Sequence, residues 1–297
     1  WRKCRIGLRL LSMIDVSDLS FAYRGASSNT LHDMNFSVAE GEIFGCLGPS
    51  GAGKSTTQKI LIRLLQGYEG SAQILGREIR EWDKSLYEQI GVSFELPNHY
   101  AKLTAEENLN HFKALYQNMG HGTQTVLDWV GLGSDADTKA GDMSKGMKIR
   151  LNVARAVIHR PKVLFLDEPT SGLDPVNARR IRDMILRLRE EGTTVFITTH
   201  NMNLAEQLCD RVAFVTDGSI ALIDSPDSLK QQYGQRKVAL TLEGEAVQHF
   251  DLDGLGENKA FLKALNSGKP IHSLHSEEST LDNIFIQVTG HALDGGD

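Results

Sequence analysis

Cysteine is scarce: Cys4, Cys46 and Cys209 stand alone among 297 residues, with no C-x-x-C pair. An odd, unpaired set of this kind suits a reducing compartment. Cys46 lies in an apolar run and reads as a small core residue rather than a reactive thiol. Long hydrophobic runs are missing too, and no window approaches the ~18 uninterrupted apolar residues of a membrane span. Positive charge is not in excess: 32 Lys and Arg face 38 Asp and Glu, a formal net charge of −6. That argues against a nucleic-acid binder relying on overall charge and leaves only a local basic patch open. There is no fixed-period repeat and no low-complexity segment.

What is present is an ordinary globular balance, 40% apolar and 24% charged, over a length that allows one large or two modest domains. Wholesale disorder is excluded on these proportions. The opening WRKCRIGLRLLS is basic, and Arg9 interrupts what would be the apolar stretch of a signal peptide. Residues 1–12 read as a leader or an over-extended start, with the working protein beginning near Met13. A basic membrane-surface anchor is the weaker reading.

Hydrophobic period divides the rest. IDVSDLSFAY (14–23) and LHDMNFSV (31–38) alternate like half-buried strands, and SAQILG (71–76) is strand-like. Helical patterns are expected at 54–65 and about 80–89. From Thr104 to His159 the period is helical almost throughout: a capping box at T-A-E-E (104–107), a short helix ended by Gly131 or Gly133, and a third helix over 144–159 with Ser144 as N-cap. This reads as an inserted all-helical subdomain, about 96–160. Apolar runs return at 162–167, 193–198, 211–216 and 219–223, with helices at 175–190 and 201–209 and an Asp217-Gly218 hairpin. Such runs alternating with helices indicate a buried, largely parallel sheet. After about Gln235 the balance turns to five Lys/Arg against ten Asp/Glu, expected as a small α+β appendage over 236–297.

The chemistry is concentrated in GPSGAGKST, residues 48–56. A loop without side chains can turn its backbone N–H groups around a phosphate. Lys54 would then reach the β- and γ-phosphates, and Ser55 could ligate Mg²⁺. The bland alternative is a glycine-rich turn with a chance lysine. The strand-like Ile43–Leu47 before it and the helical pattern after it favour a nucleoside triphosphate.

VLFLDEPT (163–170) is an apolar run ending in two carboxylates. Asp167 fits the strand-end acid that holds Mg²⁺ in phosphate-loop proteins, and Glu168 is placed to orient or deprotonate an attacking water. Two solvated surface acids would be the bland reading. TTVFITTH (193–200) ends in His200, which could donate to a γ-phosphate oxygen, although a lone strand-end histidine is more often structural. The helix start MSKGM (143–147) offers a second anion site through Ser144 and Gly146. Alone it would be an ordinary capped helix. In a chain that already has a phosphate loop, it is most useful to another molecule's nucleotide.

Taken in order, GPSGAGKST, MSKGMKIRLNVARA, VLFLDEPTSGLDP and ITTH resemble the ATP-binding cassette ATPases, over Met13 to about Leu229. The resemblance implies an α/β P-loop NTPase core: a largely parallel sheet with flanking helices, and an antiparallel β subdomain. It implies that Tyr23 stacks on adenine, and that Gly48, Pro49, Ser50, Gly51, Ala52, Gly53, Lys54, Ser55 and Thr56 hold the phosphates of ATP. Asp167 would be the Mg²⁺ aspartate, Glu168 the catalytic base and His200 the switch histidine. Asp174 would cross to the partner subunit, where Ser144 and Gly146 cap the bound γ-phosphate. The implied partners are a second cassette in a head-to-tail homodimer and transmembrane permease subunits, at the cytoplasmic face of the cell membrane, with no nucleic acid.

Two departures matter. Lys145 and Met147 replace the first glycine and the glutamine of the usual L-S-G-G-Q. The resulting S-K-G-M-K resembles the cassettes of two-component exporters of drugs, antibiotics or other hydrophobic cargo, as does the tail TLDNIFIQVTG (280–290). After IGVSF, where the family places a glutamine on Mg²⁺ and the attacking water, stands Glu95. A carboxylate is a charged, hard Mg²⁺ ligand, but it brings negative charge toward the γ-phosphate. The expectation is therefore an ATP hydrolase that powers export. An importer ATPase, a soluble cassette acting on ribosomes or DNA, and a P-loop kinase are its rivals.

Overall fold

The computed structural model describes residues 12–118, 120–234, 236–277 and 279–290. The leader expected at 1–12 therefore lies, but for Ser12, outside the described residues. The chain forms two compact units, one through Ile223 and one from Asp224.

In the first unit, β1 (Ser12–Phe21) and β2 (Leu31–Ala39) pair antiparallel, as their alternating pattern requires. β3 (Ile43–Leu47) is wholly buried and leads through the glycine loop into α1 (Lys54–Leu61). The helix stops short of the expected Leu65, because Arg63 takes φ 62 and the chain turns out there. β4 (Glu69–Ile74) and β5 (Arg77–Glu78) complete a four-stranded sheet in the order β2-β1-β4-β5. The helix expected at about 80–89 is broken. A single 3-10 turn covers Ile79–Glu81, Trp82 is extended, and α2 is only Leu86–Gln89. Asp83 accepts from the backbone N–H and hydroxyl of Ser85 at 2.9 and 2.5 Å, a local turn that competes with the helix.

After β6 (Ile90–Ser93) the chain is helical: α3 (Ala105–Lys113), α4 (Thr123–Trp129) and α5 (Lys145–Val157). The capping box forms as expected, with Thr104 Oγ1 accepting from Glu107 N and Glu107 Oε2 from Thr104 N, at 3.1 and 2.9 Å. Then come β7 (Val163–Asp167), α6 (Pro175–Glu190), β8 (Thr194–Thr199), α7 (Met202–Leu208), β9 (Arg211–Thr216) and β10 (Ser219–Asp224). The six-stranded sheet has the order β10-β9-β3-β8-β7-β6, parallel from β9 through β6. Asp217 and Gly218 turn the chain into β10 at φ 48 and 75. The two sheets share a core in which Phe36, Phe44 and Phe196 stack with centroids 5.4–5.9 Å apart. Three segments leave this parallel sheet at one edge: the glycine loop after β3, Glu168 after β7 and His200 after β8.

The second unit holds α8 (Pro226–Tyr233), β11 (Lys237–Leu242), β12 (Gln248–Asp251), α9 (Lys259–Leu265), β13 (Ile271–Glu277) and α10 (Leu281–Thr289). Its sheet runs β12-β11-β13, and Val238, Leu240 and Leu242 form a core with Phe261 of α9. α8 packs on α10 within this unit, so it falls after the division at 223/224 although the sequence puts the change of character near 235. No helix among the described residues is long and apolar enough to cross a membrane.

Candidate active site

The glycine loop is shaped by close approach. A Cβ at Gly48 would lie 2.1 Å from Val215 O, and one at Gly53, where φ is 103, would lie 2.6 Å from Leu31 Cδ2. Only glycine fits either place. Lys54 opens α1 and is buried, its ammonium donating to Gly48 O and Pro49 O at 2.7 and 2.8 Å. Burial lowers its pKa, and the charges of Glu168, Asp167 and Glu95 are among those that oppose the fall. Glu95 is exposed after β6, yet its charge reaches the loop lysine. Tyr23 shares a 3.1 Å hydrogen bond with Thr56 Oγ1, which ties the residue expected under adenine to the first turn of α1.

Asp167 ends β7 beside Thr198 of β8, and the Thr198 hydroxyl donates to its Oδ1. Burial raises the Asp167 carboxyl, the Thr198 hydrogen bond pulls it down, and Glu168 pushes it up again. Glu168 sits at φ 47, a left-handed conformation that costs a residue with a Cβ on the order of 1 kcal/mol or more. Its carboxylate accepts three hydrogen bonds. His200 N and Nδ1 both donate to Oε1, at 2.8 and 2.7 Å, and Thr199 Oγ1 donates to Oε2 at 2.7 Å. Glu168 and His200, with separate roles in sequence, are joined by hydrogen bonds. Thr198 and Thr199 join the site although no motif names them; the two hydroxyls before His200 in ITTH are the signal that marks them.

The remaining candidates lie apart from this cluster. Ser144 caps α5 by accepting from Met147 N at 3.3 Å, and it is exposed. A Cβ on Gly146 would meet Leu173 at 3.4 Å, and Lys145 Nζ lies 3.7 Å from the Cβ position of Gly172. The α5 start therefore borders the SGLD loop. Asp174 caps α6 of its own chain through Val176 N, Asn177 N and the Asn177 side chain, at 3.0, 3.1 and 2.5 Å. The Asn177 side chain leads the contacts that hold its carboxyl below the usual range. The loop carrying Glu95 runs along α5. Asn152 donates to Phe94 O at 2.7 Å, Arg155 to Asn98 O at 2.7 Å, and His99 Nε2 to Lys148 O at 2.8 Å.

A buried lysine in a glycine loop, with two carboxylates at the same sheet edge, defines a nucleoside-triphosphate site. The family described as ABC transporter matches residues 31–171, a span that holds the loop and both carboxylates but not Tyr23 or His200. The chain is 49% identical over 285 residues to a fluoroquinolones export ATP-binding protein of Mycobacterium tuberculosis, covering 95% of this chain and 94% of that protein. It is 33% identical over 308 residues to the bacitracin transport ATP-binding protein BcrA of Bacillus licheniformis, covering 94% and 98%. Two solved structures share the fold at 27% identity. An ATP binding subunit of an ABC transporter has a TM-score of 0.68 and covers 75% of this chain and 93% of its own. A dimeric post-hydrolysis state of the ATP-binding cassette MJ0796 bound to ADP and Pi has a TM-score of 0.66, covering 72% and 98%. This chain belongs to the ABC transporter family, as one of its ATP-binding proteins. It is an ATP-binding ATP hydrolase.

Proposed function

We propose that the chain is the ATPase subunit of a drug or antibiotic exporter, hydrolysing ATP at sites shared by two copies and working through separate membrane-spanning subunits at the cytoplasmic face. The observation that carries the hydrolytic part is the grip on Glu168 at the edge where the phosphate loop leaves the sheet. Glu168 takes the proton of the attacking water, His200 holds Glu168 and reaches the γ-phosphate, and Lys54 neutralises the β- and γ-phosphates. Tyr23 carries adenine. Ser144 and Gly146 close over the nucleotide of the second copy, and Asp174 stands at that junction.

Mg²⁺ would be held by Ser55 and Asp167, with Glu95 as a third oxygen ligand. Among the described residues no group of three or more His, Cys, Asp and Glu gathers as a metal cluster. A short oxygen-only donor set suits Mg²⁺, which keeps much of its shell as water and substrate phosphate oxygens. When bound, Mg²⁺ neutralises charge on the phosphates.

Export is favoured by the relative named for fluoroquinolones export and by the S-K-G-M-K helix start. For the permease we assign the groove of about 380 Å³ between the turn after α1, α2, β6, α3 and α5. Leu64 and Leu115 line it and are 55% and 66% exposed. The Glu95 loop, pinned to α5, links this groove to the phosphate site.

Purification from membranes tests the proposal. An integral membrane protein should accompany the chain and, reconstituted with it, move a hydrophobic antibiotic out of the ATP-containing compartment. Movement toward ATP would make it an importer. Recovery on ribosomes instead would overturn transport altogether.

A further inference from the structure

Thr199 is the last residue of β8 and is 1% exposed. Its backbone pairs with Leu47, the residue that launches the phosphate loop. Its hydroxyl has two partners. Asn201 N donates to Oγ1 at 3.0 Å, and Oγ1 donates to Glu168 Oε2 at 2.7 Å. Because the Asn201 N–H occupies an acceptor site, the hydroxyl proton is directed at the carboxylate.

The two oxygens of Glu168 are not equivalent. A carboxylate oxygen offers about two lone-pair sites. Those of Oε1 are both used by His200, through its backbone N–H and its Nδ1–H. Among the described residues Oε2 accepts from Thr199 alone, which leaves one site for a proton. The His200 side chain is 54% exposed, whereas Thr199 is 1% exposed and pairs with Leu47 of β3.

We propose that Thr199 is a positioning residue for ATP hydrolysis: its hydroxyl fixes Glu168 so that Oε2 takes the proton of the attacking water. This rests on Glu168 being the base. In the step, the water oxygen bonds to the γ-phosphorus and the bond from that phosphorus to the β,γ-bridging oxygen breaks. The bridging electron pair leaves with ADP. The water proton goes to Oε2 and passes afterwards to phosphate or bulk water. A base must be held within tens of degrees of its working direction, and Glu168, on a strained backbone, is not held by its own conformation.

The test compares Thr199→Val, Thr199→Ser and Glu168→Gln, singly and combined, by turnover and by equilibrium ATP binding. Thr199→Val keeps shape and removes the donor, so kcat should fall by roughly tenfold, the worth of a hydrogen bond to a charged group. ATP affinity should stay within about twofold, because no phosphate contact is touched. Thr199→Ser should restore most of the rate, and Thr199→Ala repeats the loss if valine packs poorly. In the Glu168→Gln background, Thr199→Val should cost nothing further. Parental turnover in Thr199→Val, or the same tenfold cost without the Glu168 carboxylate, would overturn the assignment. Full turnover in Glu168→Gln would instead remove the base reading beneath it.

Discussion

Two helices of the first unit begin at points suited to a phosphate, and they begin in opposite ways. At α1 the N-cap is Gly53 with no side-chain cap, the first residue is a buried lysine, and two strand-end carboxylates share the edge. At α5 the cap is a serine satisfied within its own turn, and Ser144 and Lys145 are exposed. No acid sits in that first turn to complement the helix dipole. The first start is largely buried in its own chain, and its groups act on one another. The second is anchored from behind by Arg150, whose Nη1 donates to Val130 O and Gly131 O at 2.8 and 2.7 Å, and it presents its front outward. One is a pocket and the other is a surface, and the proposed composite site joins one of each from two chains.

The largest effect should come from inside the pocket. Glu168→Gln keeps the shape and removes the proton acceptor, so turnover should drop by roughly a hundredfold or more. ATP binding should persist, and ATP should hold two copies together, visible as a dimer by light scattering. Turnover within about twofold of the parent would mean that the carboxylate is not the base.

A smaller, two-part effect should separate pocket from surface. Lys54→Ala should weaken ATP binding itself, measured with labelled ATP at matched salt, since it deletes the point charge on the phosphates. Ser144→Arg should leave that binding intact and abolish turnover. Mixed, the two variants should regain part of the activity, because one of the two shared sites then has both halves whole. No recovery in demonstrated heterodimers would break the comparison and make the α1 pocket self-sufficient.

The pocket was legible in the sequence because its parts are contiguous. The nine residues of GPSGAGKST spell out a phosphate loop, and an apolar strand ending in Asp167 and Glu168 states its own direction. Ser144 and the Thr104–Glu107 capping box were legible for the same reason, since their partners lie three residues away. What could not be read was pairing across strands. That Thr198 serves Asp167 and Thr199 serves Glu168 depends on β7 and β8 being neighbours in one register, 31 residues apart in the chain. The break at Trp82, after the 3-10 turn, was hidden as well. Helical spacing there was overruled by Asp83 turning back on Ser85.

The smallest effect sharpens the border between pocket and surface, where Glu95 lies. Its side chain is exposed, like the α5 start, yet its charge acts on buried Lys54, like the pocket acids. If Glu95 ligates Mg²⁺ in the closed site, Glu95→Gln should weaken apparent Mg²⁺ affinity. It should also lessen repulsion with the γ-phosphate, so the rate at saturating Mg²⁺ should hold or rise modestly. If Glu95 belongs to the surface instead, its loop serves the groove proposed for the permease through Asn152, Arg155 and His99. Then neither Mg²⁺ affinity nor rate would move, while coupling of hydrolysis to transport would. ATPase rate measured against Mg²⁺ for both proteins decides between them. Coincident curves would retire the metal-ligand role and place Glu95 with the surface that faces other chains.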